Sequence, residues 1–285
     1  MTGRLIDDLT AFAHPARHPD GDPYQGLSVK QTELLSRRYR IPGYQVEIAA
    51  LEAGIVPERY CRNLKSFSLK DQRRLLESRV IVVGLGGLGG GVAETLARLG
   101  IGTLHLVDGD TFDDGNLNRQ VLCNETNLGQ NKADAAVEQI RRINSSIILS
   151  SYPTFLGERN GEAMLRHVEV AVDCLGELPQ RFVLEDLAKR VGRPLISAAV
   201  AGLSGHLMTI FPEDSGLNLV YGDPDRLPAQ GAEAELGCLP QITALMAALQ
   251  CAEITKVLLG NGRPLRNRML AVDLIDNTFE VVALG

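Results

Sequence analysis

The chain has 285 residues, 45% hydrophobic and 22% charged, which suits one large α/β domain with an added element and excludes a disordered or collagen-like chain. Its formal charge of -6 gives no general attraction to nucleic acid or anionic lipid, so neither partner is expected. Five cysteines, at 61, 123, 174, 238 and 251, are odd in number, widely spaced and never C-x-x-C, which points to reduced thiols and a cytoplasmic location.

In chain order, "MTGRLIDDLTAF" has acids where a signal peptide needs an apolar run, and no stretch approaches the ~20 apolar residues of a membrane span. Residues 1–25, through "AHPARHPDGDPYQG", read as a mobile arm. His14 and His18 are four apart, but prolines on both sides disfavour the helix that would align them on a metal. Helical spacing follows at 28–38, 44–53 and 68–78. From Arg79, strand patterns at 79–83, 103–107, 146–151, 169–173 and 194–200 alternate with helices at 88–99, 131–143, 160–166 and 180–190. That rhythm predicts a Rossmann-like, doubly wound, mostly parallel sheet. "HLMTIFP" adds a strand and 212–237 an acidic Pro/Gly-rich surface loop. Residues 240–259 read as a buried helix, and 268–275 and 278–283 as antiparallel strands around "IDN".

The first of these strands runs into "VGLGGLG", where Gly84, Gly86 and Gly89 form G-x-G-x-x-G. Backbone N–H groups at a helix N-terminus attract phosphate, and glycines let it approach. Asp108, closing the next strand, is placed for ribose hydroxyls. A nicotinamide dinucleotide and a nucleoside triphosphate fit equally well here, and close helix–strand packing is a third use of the same glycines.

The next segment, "DGDTFDDGNLNRQ" at 108–120, continues as a loop that presents Asn116, Asn118, Arg119 and Gln120. Lys132 opens the following helix. Two cations near strand C-terminal ends suit a polyphosphate, and attack on an α-phosphate needs them because negative charge builds on its oxygens. Each alone is also an ordinary surface cation.

"RVIVVGLGGLG", "LHLVDGDTFDDGNLNRQ" and "GQNKADAAVEQIRRIN" closely resemble the ubiquitin-activating-enzyme-like superfamily, in particular the bacterial ThiF/MoeB/HesA adenylyltransferases. The likeness spans about residues 59–285, which implies a helical N-terminal extension at 1–58 and an adenylation domain at 59–285. It implies ATP and Mg²⁺ as cofactors, a homodimer, and Gly84, Gly86, Gly87 and Gly89 along the phosphates. Asp108 would take the ribose; Asn116, Arg119, Gln120 and Lys132 would meet phosphate. "RYCRN" at 59–63 is similar to the family's R-Y-x-R-Q, which makes Arg62 an arginine finger supplied in trans.

Three departures stand out. The family's D-x-x-D-N reads "DCLGELPQR" here: Asp173 matches, Gly176 replaces the Mg²⁺-holding Asp and Glu177 replaces the Asn. The Mg²⁺ ligand therefore lies between Asp173 and Glu177, while Arg181 is retained. The paired C-x-x-C motifs of many members are missing, so no zinc is expected. Cys238 lies near the loop that holds a catalytic cysteine in some members; a thioester, a persulfide or a packed thiol all remain open.

The resemblance implies adenylation of the C-terminal glycine of a small ubiquitin-like sulfur carrier ending in Gly-Gly, as in molybdopterin or thiamine synthesis. That carrier is expected to be a separate protein, since this chain ends "VVALG". The alternative is a catalytically degenerate nucleotide-binding partner, motivated by Gly176. A nicotinamide oxidoreductase ranks below both.

Overall fold

A computed structural model describes residues 2–227 and 231–284. The chain opens with α1 (Thr2–Phe12) and an antiparallel pair, β1 (His14–Arg17) and β2 (Pro23–Leu27), with His14 opposite Gly26 and Arg17 opposite Pro23. Two helices, α2 (Val29–Tyr39) and α3 (Gly43–Glu52), lead to β3 (Ile55–Pro57), which pairs parallel to β2 and completes a three-stranded sheet. The segment expected as a mobile arm is thus folded. Leu5 and Leu9, one helical turn apart, close over Leu27, Leu35, Val46, Ala50 and Ile55 as a small core. The composition that suggested mobility makes the hairpin turn: Gly21 has φ +92°, and Lys65 binds both Asp20 and Asp22. Pro15 lies on the edge strand, where its missing N–H breaks no ladder. His14 and His18 do not converge, since His14 meets Glu58 at 3.0 Å and His18 packs on Tyr24. The extension is therefore mixed α/β rather than purely helical.

Ser68 caps α4 (Leu69–Glu77) through a reciprocal bond pattern with Asp71. The main sheet then forms from β4 (Arg79–Val83), β5 (Thr103–Val107), β6 (Ile148–Tyr152), β7 (Val170–Asp173) and β8 (Leu195–Ala201), all parallel. Their connecting helices are α5 (Gly87–Leu99), α6 (Lys132–Ile143), α7 (Gly161–Leu165) and α8 (Leu178–Arg190). The antiparallel strand β9 (Ser204–Ile210) leads through the short α9 (Asn218–Tyr221) and α10 (Glu233–Leu236) to α11 (Pro240–Leu259). The surface-loop expectation for 212–237 thus gains two single-turn helices, and its residues 228–230 lie outside those described. The antiparallel β10 (Arg268–Asp273) and β11 (Thr278–Ala283) finish the sheet, whose order is β11-β10-β9-β8-β7-β4-β5-β6.

One face is covered by α5 and α11, the other by α8 and neighbouring side chains such as Leu156 and Leu165. Contrary to the sequence expectation, α11 is long and apolar enough for a membrane span; it is the buried helix packed on α5 and β8. The order reverses around β4, since β5 and β6 lie on one side and β7 and β8 on the other. Such a reversal leaves a crevice at the strands' C-terminal ends.

A buried polar cluster joins the N-terminal unit to this sheet. The fully buried carboxylate of Glu47 pairs with Arg59 at 3.1 Å and accepts from Tyr60 and Ser146 at 3.2 and 2.8 Å. Asn144, capping the end of α6, donates to Tyr60 Oη at 3.0 Å and accepts from Arg59. Burial pushes the Glu47 carboxyl above its ordinary range, with Arg59 opposing.

Candidate functional site

Gly84 follows β4 with φ +88°, and a side chain there would lie 2.6 Å from the Cys174 carbonyl. A Cβ on Gly89 would come within 1.8 Å of the Gly84 carbonyl, so this glycine lets the first turn of α5 fold back over the loop. Gly86 is different. A Cβ there has room, meeting only the Gln120 amide at 3.5 Å. The Asp108 carboxylate holds the loop in place, accepting from Leu85 N–H at 2.7 Å and from Asp110 N–H at 2.8 Å.

These elements frame a cavity of about 520 Å³ at the switch point. Gly84, Gly86, Gly87, Asp108, Arg119, Gln120, Lys132 and Glu177 all lie on its wall. Asn131 caps α6 by accepting from Ala133 and Asp134, which places Lys132 at the first turn. Lys132 is only 7% exposed, and its ammonium faces Asp110 at 3.4 Å. Arg119 is oriented by its bonds to the Gly115 carbonyl and Asn118 Oδ1, at 2.8 and 2.9 Å. Gln120 Oε1 is buried without a hydrogen-bond partner among the described residues. The arrangement offers helix-start N–H groups and two cations to one anionic guest.

Four expected residues do not reach this wall. Gly89, expected along the phosphates, instead packs its Cα against the Gly84 carbonyl and lies off the cavity. Asn116 turns its amide onto Asp113 at 2.7 Å. Arg62 is exposed in the turn after Tyr60 and lies off the cavity. Asp173 has no exposed surface; it accepts from Ser197 at 2.6 Å and Leu175 N–H at 3.0 Å and faces Arg181 at 3.4 Å. A carboxylate so engaged does not fit a metal facing the cavity. Of the two residues considered for Mg²⁺, only Glu177, exposed at the start of α8, faces it. Gly176 has nothing within 4 Å of a Cβ position, so the site retains space for the missing carboxylate.

Cys238 also lines the cavity, half-buried near Arg119; burial raises its thiol pKa while Arg119 opposes. Cys174 and Cys251 are buried, the latter pushed up to about 12 by burial. Sequence reasoning overlooked Phe155, which also lines the cavity; its signal was a lone aromatic just past a parallel strand. It also overlooked a second cavity of about 410 Å³ that shares Gly176, Arg181, Val200 and Glu233 with the first and is lined by His206 and Tyr221.

The ThiF family model matches residues 60–285. An adenylyltransferase and sulfurtransferase MOCS3-1 of Zea mays is 35% identical over 79% of this chain and 49% of its own length. The chain thus spans about half of that relative. A SAMP-activating enzyme E1 of Haloferax volcanii is 31% identical over 79% of this chain and 84% of its own. A crystal structure of E. coli MccB with ATP superposes with TM-score 0.69 at 20% identity, covering 96% of this chain and 95% of that one.

Proposed function

This chain belongs to the ThiF family, and from that premise we propose that it is an adenylyltransferase acting on the C-terminal glycine carboxylate of a separate ubiquitin-like sulfur carrier. One observation carries the reading: the glycine loop, Arg119 and Lys132 converge on a single cavity at the sheet's switch point. A carrier carboxylate oxygen attacks the α-phosphorus of ATP. The bond to the bridging oxygen breaks, and pyrophosphate leaves with the electron pair. Charge that builds on the phosphoryl oxygens meets the N-terminus of α5, Arg119 and Lys132. The second cavity, which shares Gly176 and Arg181 with the first, offers a path for the carrier's tail. Mg²⁺, when bound with the triphosphate, would neutralise part of its charge, and Glu177 is the cavity carboxylate that would help hold it.

Arg62 lies off its own cavity and is exposed, which suits a finger reaching the other subunit of a homodimer. The division into an N-terminal unit at 1–58 and an adenylation domain at 59–285 suits the start of the family match at 60. The five cysteines are free thiols in the structure, which suits a reducing cytoplasm. A second reading, a nucleotide-binding partner without turnover, draws on the empty position at Gly176 and on Asp173's engagement with Arg181.

Pyrophosphate exchange into ATP separates the two. Exchange is expected with a carrier ending in Gly-Gly and not with one lacking the last glycine, and Arg119→Ala lowers it by about 10²–10³-fold. ATP binding without exchange for any such carrier supports the partner reading instead.

A further inference from the structure

We propose that Phe155 is the stacking platform for the base of the nucleotide, an inference that rests on the nucleotide reading of the first cavity. The Gly84–Gly87 loop, Arg119 and Lys132 line that cavity. Thr154, Phe155 and Leu156, from the loop after β6, line it as well. Since β6 lies next to β5 at the sheet's edge, this loop stands one strand beyond Asp108. A sugar held near Asp108 would extend its base over the end of β6.

Phe155 is the one aromatic side chain among the described residues lining this cavity, and it is 67% exposed. Its neighbour Leu156 is buried in the core and anchors the loop. The phenyl ring rests on Gly109, where an added Cβ would come within 2.7 Å of Phe155 Cδ2. Its backbone is fixed as well. The Phe155 carbonyl accepts from Asn160 Nδ2 at 3.0 Å, and Asn160 Oδ1 accepts from Gly157 N–H at 2.9 Å. One side of the ring is therefore backed by protein and the rest faces water, so the platform is ordered before a ligand arrives. A purine laid on it removes apolar surface from water with little further ordering cost. Stacking reads the face of the base rather than its edge, so Phe155 sets affinity for a base without choosing between purines.

Calorimetric titration of the full chain with ATP and with inorganic tripolyphosphate tests this. Phe155→Ala is expected to weaken ATP by about 5- to 100-fold and leave tripolyphosphate unchanged. Phe155→Tyr is expected to bind ATP like the natural chain. Equal ATP affinity in Phe155→Ala, or a parallel loss of both ligands, overturns the platform. Binding of neither ligand by the natural chain overturns the nucleotide reading itself.

Discussion

Asp108 shows why a residue's role is set by its neighbours. Both its oxygens accept backbone N–H groups, so it shapes the glycine loop whether or not it also meets a sugar. Gly176 shows the reverse, an absent side chain with its space preserved. Gly176→Asp is predicted to change stability by no more than about 0.5 kcal/mol and to lower the Mg²⁺ concentration that half-saturates pyrophosphate exchange. Thermal melts and a metal titration check this, and an unchanged Mg²⁺ dependence contradicts it. His206, 2.9 Å from Tyr221 Oη, has its pKa lowered from 6.5 to about 4, chiefly by burial and then by Arg181. The unfolded chain therefore takes up this proton first on acidification. The stability tied to neutral His206 is present above 6.5 and lost as pH falls toward 4. The loss is at most about 3 kcal/mol. Denaturation at pH 7 and again near pH 4.5 is predicted to show a smaller acid loss for His206→Gln, and equal losses reject the assignment.

At the scale of elements, the first turn of α5 separates packing from ligand approach. Gly89→Ala is predicted to destabilise by roughly 3 kcal/mol or more, because its methyl would meet backbone that cannot yield. Gly86→Ala should fold normally and weaken nucleotide binding. Comparable melting of the two variants contradicts this division. The alternating strands and helices from Arg79 onward were legible because each carries a clear period and ends on turn residues. The hairpin at 14–27 was not legible, because Pro, Gly and Asp mark a tight turn as readily as a loose arm. Its core comes from Leu5 and Leu9 meeting residues up to Ile55, contacts that no local window contains. The wall of the cavity was legible at Gly84, Gly86, Gly87, Arg119, Gln120 and Lys132 but not at Gly89, which serves packing instead. It failed at Asn116 and Asp173, whose side chains are claimed by Asp113 and by Ser197 and Arg181. Phe155 escaped notice because only the fold brings its loop to the same cavity as the glycines.

At the scale of the molecule, the N-terminal unit and the sheet domain share the Glu47–Arg59–Tyr60–Asn144 cluster, which also sets where the turn carrying Arg62 begins. An Arg62 that acts across a dimer predicts complementation. Mixing inactive Arg62→Ala with inactive Arg119→Ala, after subunit exchange, should restore about a quarter of natural activity, since half the dimers then hold one complete site. A mixture that stays inactive despite exchange places Arg62 in its own subunit or outside catalysis. The central claim, that this cavity presents the α-phosphate of ATP to a peptide's terminal carboxylate, is tested most directly by isotopic labelling. The chain, a Gly-Gly carrier and ATP labelled at the α-phosphate are predicted to yield labelled carrier that hydroxylamine discharges, while γ-label leaves in pyrophosphate. Label reaching the carrier from the γ position, or from neither, contradicts it.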